Sequence, residues 1–210
     1  MNAHIRRLID RYPVLKSCAV PIHEALELLE GSFVAGGKLL LCGNGGSASD
    51  CEHIAGELMK SFLIPRPISG ECRKALERDG ETGRIVAEHL QGGLPCVALT
   101  GHPALNMAIS NDIRGDMAFA QQTHALGRPG DTLWGISTSG NSANVLHAFH
   151  VARAREIHTL ALTGESGGKL KGLASVAIQV PASTVVEIQE LHLPVYHTLC
   201  AALEERFFGR

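Results

Sequence analysis

Short apolar runs alternate with helical segments along most of this chain, and no other feature constrains its fold as much. The runs are residues 38–42, 95–99, 132–136, 159–162 and 176–180. Segments with helical patterning lie among and after them, at residues 47–62, 103–110, 117–126, 142–155 and 184–207. A strand buried on both faces has a continuous apolar sequence, and strands joined through helices lie parallel. The sequence therefore predicts an α/β fold, a doubly wound parallel sheet with helices on both faces.

The N-terminal region precedes the first apolar run and has a helical pattern of its own. Residues 2–36 are predicted to be helical, with interruptions near Pro13 and Pro21. They carry an apolar face that a single small domain has little room to bury. We therefore divide the chain into N-terminal helices at 1–36, which pack on the domain and in an oligomer, and one domain at 37–210.

Residues 65–93 interrupt the alternation. The segment is charged, bounded by proline and glycine, and long for a connection inside a compact domain. We expect a partly helical excursion that lies over an edge of the sheet.

Composition excludes several classes of function. A chain of 210 residues with 45% hydrophobic content suits one domain with a full core. A formal net charge of −2 supplies no general attraction for nucleic acid or for an anionic membrane. An aromatic content of 4% argues against a base-stacking surface.

The six cysteines and the N-terminus indicate a cytoplasmic protein. No two cysteines form a C-x-x-C pair and most have apolar neighbours, which predicts buried free thiols in a reducing compartment. We expect no secretory signal, and no stretch approaches the roughly 20 apolar residues of a membrane helix.

Two loops rich in glycine and serine each lie between an apolar run and a helical segment. The first is residues 43–47, with the sequence GNGGS, and the second is residues 137–142, with the sequence STSGNS. Ligands of open α/β sheets bind beyond the carboxyl ends of the strands. There, glycines allow close approach of the backbone, and helix N-termini and hydroxyls donate hydrogen bonds to an anion. Together the loops predict a phosphate site that needs no lysine.

The alternative is that each loop is only a tight turn with a serine cap. Either loop alone leaves this choice open, whereas two loops in equivalent places favour phosphate binding. Neither loop is a Walker A or a G-x-G-x-x-G sequence, so a nucleotide cofactor is not expected.

Two groups of ionisable residues are candidates for chemistry. His53 and Glu57 stand four apart on one helical face, where a carboxylate can act as a base with histidine as its orienting partner or as a metal ligand. Spacing alone favours an ordinary solvated pair. On the last helix, Gln189 and His197 are about 12 Å apart along the axis. His197 lies among apolar residues and would ordinarily be a core histidine, and spacing allows His192 equally well.

At this point several runs match a known family in order and spacing. They are CGNGGSASDCEHIAGEL (42–58), ISNDIRGD (109–116), GDTLWGISTSGNSANVL (130–146), LALTGESGGKLKGLA (160–174) and IQELHLPVYH (188–197). The chain resembles the phosphoheptose isomerases of the sugar isomerase (SIS) superfamily over about residues 30–207.

The resemblance implies a SIS fold with a five-stranded parallel sheet, assembled as a homotetramer with active sites between subunits. It implies that Glu57 is the catalytic base and His197 the acid, and it selects His197 over His192. It implies one zinc ion per subunit, held by His53, Glu57, Gln189 and His197. The implied substrate-binding residues are Asn44, Gly45, Gly46, Ser47, Glu57, Asn111, Asp112, Ser137, Thr138, Ser139, Ser142 and Gln189. We further expect Gln189 and His197 to reach His53 and Glu57 from a neighbouring chain.

The reaction implied is aldose–ketose isomerisation of sedoheptulose 7-phosphate to D-glycero-D-manno-heptose 7-phosphate through an enediol. Three departures from the family pattern affect the substrate more than the reaction: the long excursion, Val186 with Glu187 before Gln189, and Ser61 where an arginine is common. The alternatives are an isomerase of another phosphosugar, or a SIS protein without catalysis that acts as a regulatory binding module.

Overall fold

The computed structural model describes residues 2–209, which form five strands and nine α-helices. The strands are β1 (Leu39–Gly43), β2 (Cys96–Ala98), β3 (Thr132–Ile136), β4 (His158–Thr163) and β5 (Val176–Gln179). They form one parallel sheet in the order β2-β1-β3-β4-β5. This confirms the predicted α/β fold and its five-stranded parallel sheet.

Helices cover both faces of this sheet. They are α1 (Ala3–Arg11), α2 (Ala19–Val34), α3 (Gly46–Met59), α4 (Gly70–Arg78), α5 (Gly80–His89), α6 (Pro103–Ile109), α7 (Ala118–Leu126), α8 (Ala143–Ala154) and α9 (Val185–Phe208). Side chains alternate along β1: Leu39 and Leu41 join the core under α2, α3 and α9, whereas Leu40 and Cys42 join the core under α7 and α8. This two-sided burial explains why the strands have continuous apolar sequences.

The N-terminal helices confirm one predicted interruption and correct the other. Before Pro13 the chain leaves α1 and enters a 3₁₀ helix, Pro13–Cys18, because a residue that precedes proline is forced out of helical geometry. Pro21 interrupts nothing, since it is the third residue of α2. The first N–H groups of a helix have no partner within the helix, so proline is tolerated there.

The predicted excursion is a helical hairpin of α4 and α5, closed at its base by an antiparallel bridge between Pro67 and Gln91. Among the described residues of α4 none is buried, and the two helices pack chiefly against each other. The hairpin is therefore helical as expected, but it does not lie over the sheet edge as expected.

Two further expectations concern the state of the cysteines and the presence of a membrane-spanning helix. All six cysteines are free in the described part of the chain, and five are buried, with Cys72 exposed. Between residues 2 and 209 no helix combines the length and the apolar character needed to cross a membrane.

Candidate active site

The order of strands places the two glycine-serine loops side by side. The chain runs outward from β1 to β2 and then returns to β3 on the other side of β1. β1 and β3 therefore flank the point where the winding reverses, which is where ligands enter sheets of this type. A cavity of about 270 Å³ opens there. We call it the loop cavity; its lining residues are Asn44, Gly45, Gly46, Ser47, Ile136, Ser137, Thr138, Ser142, Val185 and Gln189.

The first loop depends on glycine at two positions. Gly45 has a φ of +54° with ψ −123°, in the region that favours glycine. At Gly46 a Cβ atom would stand 2.5 Å from the side-chain nitrogen of Gln189, so a larger residue there would displace the Gln189 amide from the start of α3. The loop thus brings the N-terminus of α3 and the Gln189 side chain to one cavity.

The second loop holds its hydroxyls towards each other. The Ser137 and Ser142 Oγ atoms are 3.0 Å apart, and both residues line the loop cavity. Ser142 precedes α8, yet in the described chain its side chain makes no capping bond. The loop therefore does not match the alternative of a simple serine-capped turn.

An unpredicted residue near the start of α8, Asn144, pairs with the first loop. The side-chain amides of Asn44 and Asn144 exchange two hydrogen bonds, of 2.9 and 2.8 Å. Asn144 lies 100 residues further along the chain, so no spacing pattern could indicate this pairing. The bridge ties the loop after β1 to the start of α8.

The ionisable candidates meet beside the C-terminal half of α3. Glu57 Oε1 lies 3.1 Å from His53 Nε2, which in turn lies 3.5 Å from His197 Nε2 on α9. Lys60 Nζ lies 3.4 Å from the other Glu57 oxygen. We call His53, Glu57 and His197 the histidine cluster. All three belong to one chain, so their contact does not need the neighbouring subunit from which His197 was expected to come.

His197 lies in a partly buried, partly aromatic environment. Its ring centroid is 5.5 Å from that of Phe62 and 4.9 Å from that of Tyr196. Burial lowers its pKa and the nearby His53 lowers it further, while Glu57 acts in the opposite direction. A neutral imidazole is therefore favoured, and it can accept a proton at one nitrogen while donating from the other.

Two residues that the sequence patterns did not indicate, Tyr196 and Asp50, form a hydrogen-bonded chain to His53 Nδ1. The Tyr196 hydroxyl lies 3.1 Å from His53 Nδ1 and donates a 3.2 Å hydrogen bond to Asp50 Oδ1. Burial is the main reason that the pKa of Asp50 and the pKa of Tyr196 are both raised, so the tyrosine keeps its proton. Tyr196 thus links Asp50 to His53 and orients the imidazole.

The structure also separates the two histidines that spacing could not distinguish. His192 is fully buried in the core, and this burial lowers its pKa to about 4. His197 lies in the histidine cluster instead. His192 is therefore the core histidine and His197 the residue beside Glu57.

The implied zinc ligands are only partly brought together. His53, Glu57 and His197 face one another, but the amide of Gln189 lies against Gly46 in the loop cavity. No group of three or more His, Cys, Asp or Glu within residues 2–209 has an arrangement that would hold a metal ion. The four residues do not form a zinc site as they stand.

Besides Glu57, which lies in the histidine cluster, three implied substrate contacts lie outside the loop cavity. Asn111 and Asp112 lie on an exposed π-helical turn, Ser110–Arg114, where the Asn111 amide donates a 2.8 Å hydrogen bond to Asp112. Ser139 is exposed, and its hydroxyl accepts a bond from the Asn141 N–H.

Comparison with known proteins identifies the family to which this fold belongs. Residues 81–164 match the family model of the SIS domain. The phosphoheptose isomerase of Thiobacillus denitrificans is 42% identical over 194 residues, covering 90% of this chain and 84% of the relative. That of Rhodospirillum rubrum is 37% identical over 205 residues, covering 98% and 96%. The solved phosphoheptose isomerase of Neisseria gonorrhoeae shares 35% identity and a TM-score of 0.74, covering 97% of this chain and 96% of that one.

The five-stranded parallel sheet, together with the match to the SIS domain model, defines an α/β protein with the SIS fold. Within that class, identity above 30% along nearly the whole chain settles the family: the chain belongs to the phosphoheptose isomerases.

Proposed function

We propose that this protein is an isomerase that converts sedoheptulose 7-phosphate to D-glycero-D-manno-heptose 7-phosphate. The observation that carries the proposal is the placement of the histidine cluster and the loop cavity along one helix. α3 begins at the loop cavity with Gly46 and carries Glu57 near its other end. Ser47 and Glu57 are about 15 Å apart along the axis, and helical side chains lean towards the N-terminus. This separation suits an extended seven-carbon sugar with its phosphate at one end.

The residues divide the reaction between them. The loop cavity binds the phosphate through backbone N–H groups and the hydroxyls of Ser47, Ser137 and Ser142. Glu57 moves a proton between C1 and C2, a transfer that is worth about 10²–10⁴ in rate. His197, neutral in its partly buried position, passes a proton between the two oxygens. His53 contacts both groups and holds their relative orientation.

The decisive experiment is an NMR assay of the purified protein with sedoheptulose 7-phosphate, in which the anomeric signals of the aldose product are observed directly. Ketose phosphates of five and six carbons serve as a parallel series. Turnover of the seven-carbon substrate with none of the shorter ones supports the proposal. Preference for a shorter sugar would indicate another phosphosugar isomerase, and binding with no turnover at all would favour a regulatory module.

We further propose that the protein works as a homotetramer in the cytoplasm, with active sites close to subunit contacts. Exposed apolar side chains on α9 and on the segment before the hairpin, such as Leu193 and Leu63, support an assembly. Both residues line a groove that also includes His197. Sedimentation velocity at working concentration tests this, and a monomer there would contradict it.

Zinc is a separate proposal. His53, Glu57 and His197 supply two nitrogen donors and one carboxylate of the kinds that zinc prefers, whereas Gln189 would have to leave Gly46 to join them. A bound zinc ion would polarise substrate oxygens. Metal analysis of the purified protein, with His53→Ala as the matched variant, tests whether zinc binds at this place.

A further inference from the structure

An ion pair is buried beside the histidine cluster. Arg66 is 2% exposed and Glu204 1% exposed, and Arg66 Nε donates a 2.7 Å hydrogen bond to Glu204 Oε1. Removing both charges from water is costly, so a buried pair adds little net stability compared with apolar residues. Its role is better judged from the groups that the two side chains hold in place.

Arg66 holds the end of the helix that carries the catalytic base. Its two terminal nitrogens donate to the backbone carbonyls of Glu57, at 3.0 Å, and Leu58, at 2.8 Å. α3 ends at Met59 and the next residue is extended, so these carbonyls lie in the last turn, where helical N–H partners run out. The planar guanidinium supplies a partner to both carbonyls in a fixed geometry, and the Leu58 carbonyl also accepts a 2.9 Å bond from the Leu94 N–H. The backbone of Glu57 itself is therefore fixed by Arg66.

Glu204 holds the segment that packs against the acid. Its carboxylate accepts hydrogen bonds from three consecutive backbone N–H groups, those of Phe62, Leu63 and Ile64, at 2.8, 2.7 and 3.2 Å. Burial by itself would raise the pKa of Glu204, but the N–H groups of Phe62 and Leu63 and the Arg66 guanidinium outweigh it and lower the pKa, so the carboxylate is ionised. The ring of Phe62 in turn lies 5.5 Å from the ring of His197.

Glu204 also follows His197 on the same helix, α9, about 10 Å further along it. The ion pair thus joins the end of α3, which carries Glu57, to α9, which carries His197. We propose that Arg66 and Glu204 are positioning residues that set the separation of the base from the acid. We call Arg66, Glu204 and the backbone groups that they hold the clamp. Its kinetic consequence rests on the proposed isomerase function, whereas the clamp itself is a feature of the fold.

The chain offers a matched control far from the site. Asp131 is also 2% exposed, and it pairs with Lys38 Nζ at 2.6 Å while accepting bonds from the backbone N–H groups of Lys38 and Arg128. This pair lies where β1 and β3 begin, at the opposite end of the strands from the two loops. Glu204→Gln and Asp131→Asn therefore remove similar buried carboxylates, and only the first touches the clamp.

The test compares kcat, KM and melting temperature in these two variants with sedoheptulose 7-phosphate. We expect both variants to melt at lower temperature. We expect Glu204→Gln to lower kcat by about tenfold to a hundredfold with KM changed by less than about threefold, because a small misplacement affects the reacting groups rather than phosphate binding. Asp131→Asn should keep kcat within about twofold per folded enzyme. Equal losses of kcat in the two variants, or none in Glu204→Gln, would overturn the inference.

Two further measurements keep the test decisive if Glu204→Gln folds poorly or the substrate is another sugar. Arg66→Lys keeps the charge but loses the planar fork, and it should lower kcat in the same direction by a smaller factor. Amide hydrogen exchange does not depend on the substrate: in Arg66→Lys the N–H groups of Phe62 to Ile64 and the last turn of α3 should exchange faster, whereas α8 should not. Unchanged exchange at these positions would contradict the clamp. Failure of wild-type turnover together with this exchange pattern would count against the proposed function alone.

Discussion

The loop cavity and the histidine cluster are built on the same two helices but use opposite chemistry. The first half of α3 and of α9 supplies Gly46 and Gln189 to the loop cavity, where the groups are neutral. The second half of each supplies Glu57 and His197 to the histidine cluster, where the groups titrate. Under the proposed function, this division suits a chain with a formal net charge of −2 to an anionic substrate: local backbone and hydroxyl donors bind the phosphate, and ionisable groups carry out the proton transfers.

The largest expected effect comes from removing the proposed base, Glu57. Glu57→Gln keeps the size of the side chain and its contact with His53 but cannot take a proton from carbon. We expect kcat to fall by about 10²–10⁴, with KM for sedoheptulose 7-phosphate nearly unchanged because the phosphate end is untouched. Steady-state kinetics checks this. Near wild-type kcat in the variant would place the base elsewhere.

The next effect tests the assignment of His192, the histidine of α9 that lies in neither the loop cavity nor the histidine cluster. His192 has a pKa of about 4 in the folded chain, below its ordinary value of 6.5, because it is buried. Below pH 6.5 the unfolded chain takes up a proton that the folded chain refuses, so stability is full above that pH and falls towards pH 4. The loss amounts to about 3 kcal/mol.

Urea unfolding between pH 7 and pH 4 measures this loss. His192→Leu should flatten the dependence by about that amount, and His150→Gln, at an exposed site on α8, should leave it unchanged. If His192→Leu keeps the full slope, the burial of a neutral His192 is not its cause.

A smaller effect is expected within the second loop. Ser142 lines the loop cavity beside Ser137, whereas Ser139 is exposed and bonds only locally to Asn141 among the described residues. Ser142→Ala should therefore weaken substrate binding by about 1 kcal/mol, roughly a fivefold rise in KM. Ser139→Ala is the matched control and should change KM less. A larger effect at Ser139 would mean that the loop rearranges around the phosphate.

Sequence patterns predicted the framework of both regions well. Thr132–Ile136 has the bounds that its apolar run suggests, and the other strand ends differ by about a residue. Such accuracy follows from burial on both faces, which makes a strand visible as a continuous run. Pro21 was misread because a proline weakens a helix only beyond its first turn.

Contacts between distant residues were the part that no pattern could predict. Tyr196 and Asp50 are 146 residues apart, and Arg66 and Glu204 are 138 apart. Each residue alone resembles many others in the chain, and the residues of each pair come together only because α9 packs on α3. The distinction between His192 and His197 likewise depends on which face of α9 points to the core. The number of residues that separates each histidine from Gln189 does not reveal that face.

The smallest expected effect is an absence of rescue when two inactive variants are mixed. The sequence suggested that His197 comes from a neighbouring chain, in which case hybrids of Glu57→Gln and His197→Ala subunits would contain some intact sites. The structure instead joins Glu57 to His197 through His53 within one chain, by contacts of 3.1 and 3.5 Å. Every site in a hybrid then lacks one of the two groups.

We expect no activity above that of the separate variants once hybrids are verified by a tag on one subunit. Wild-type subunits mixed with His197→Ala should retain activity in proportion to their share. Recovered activity in the double hybrids would show that assembly exchanges α9 between subunits.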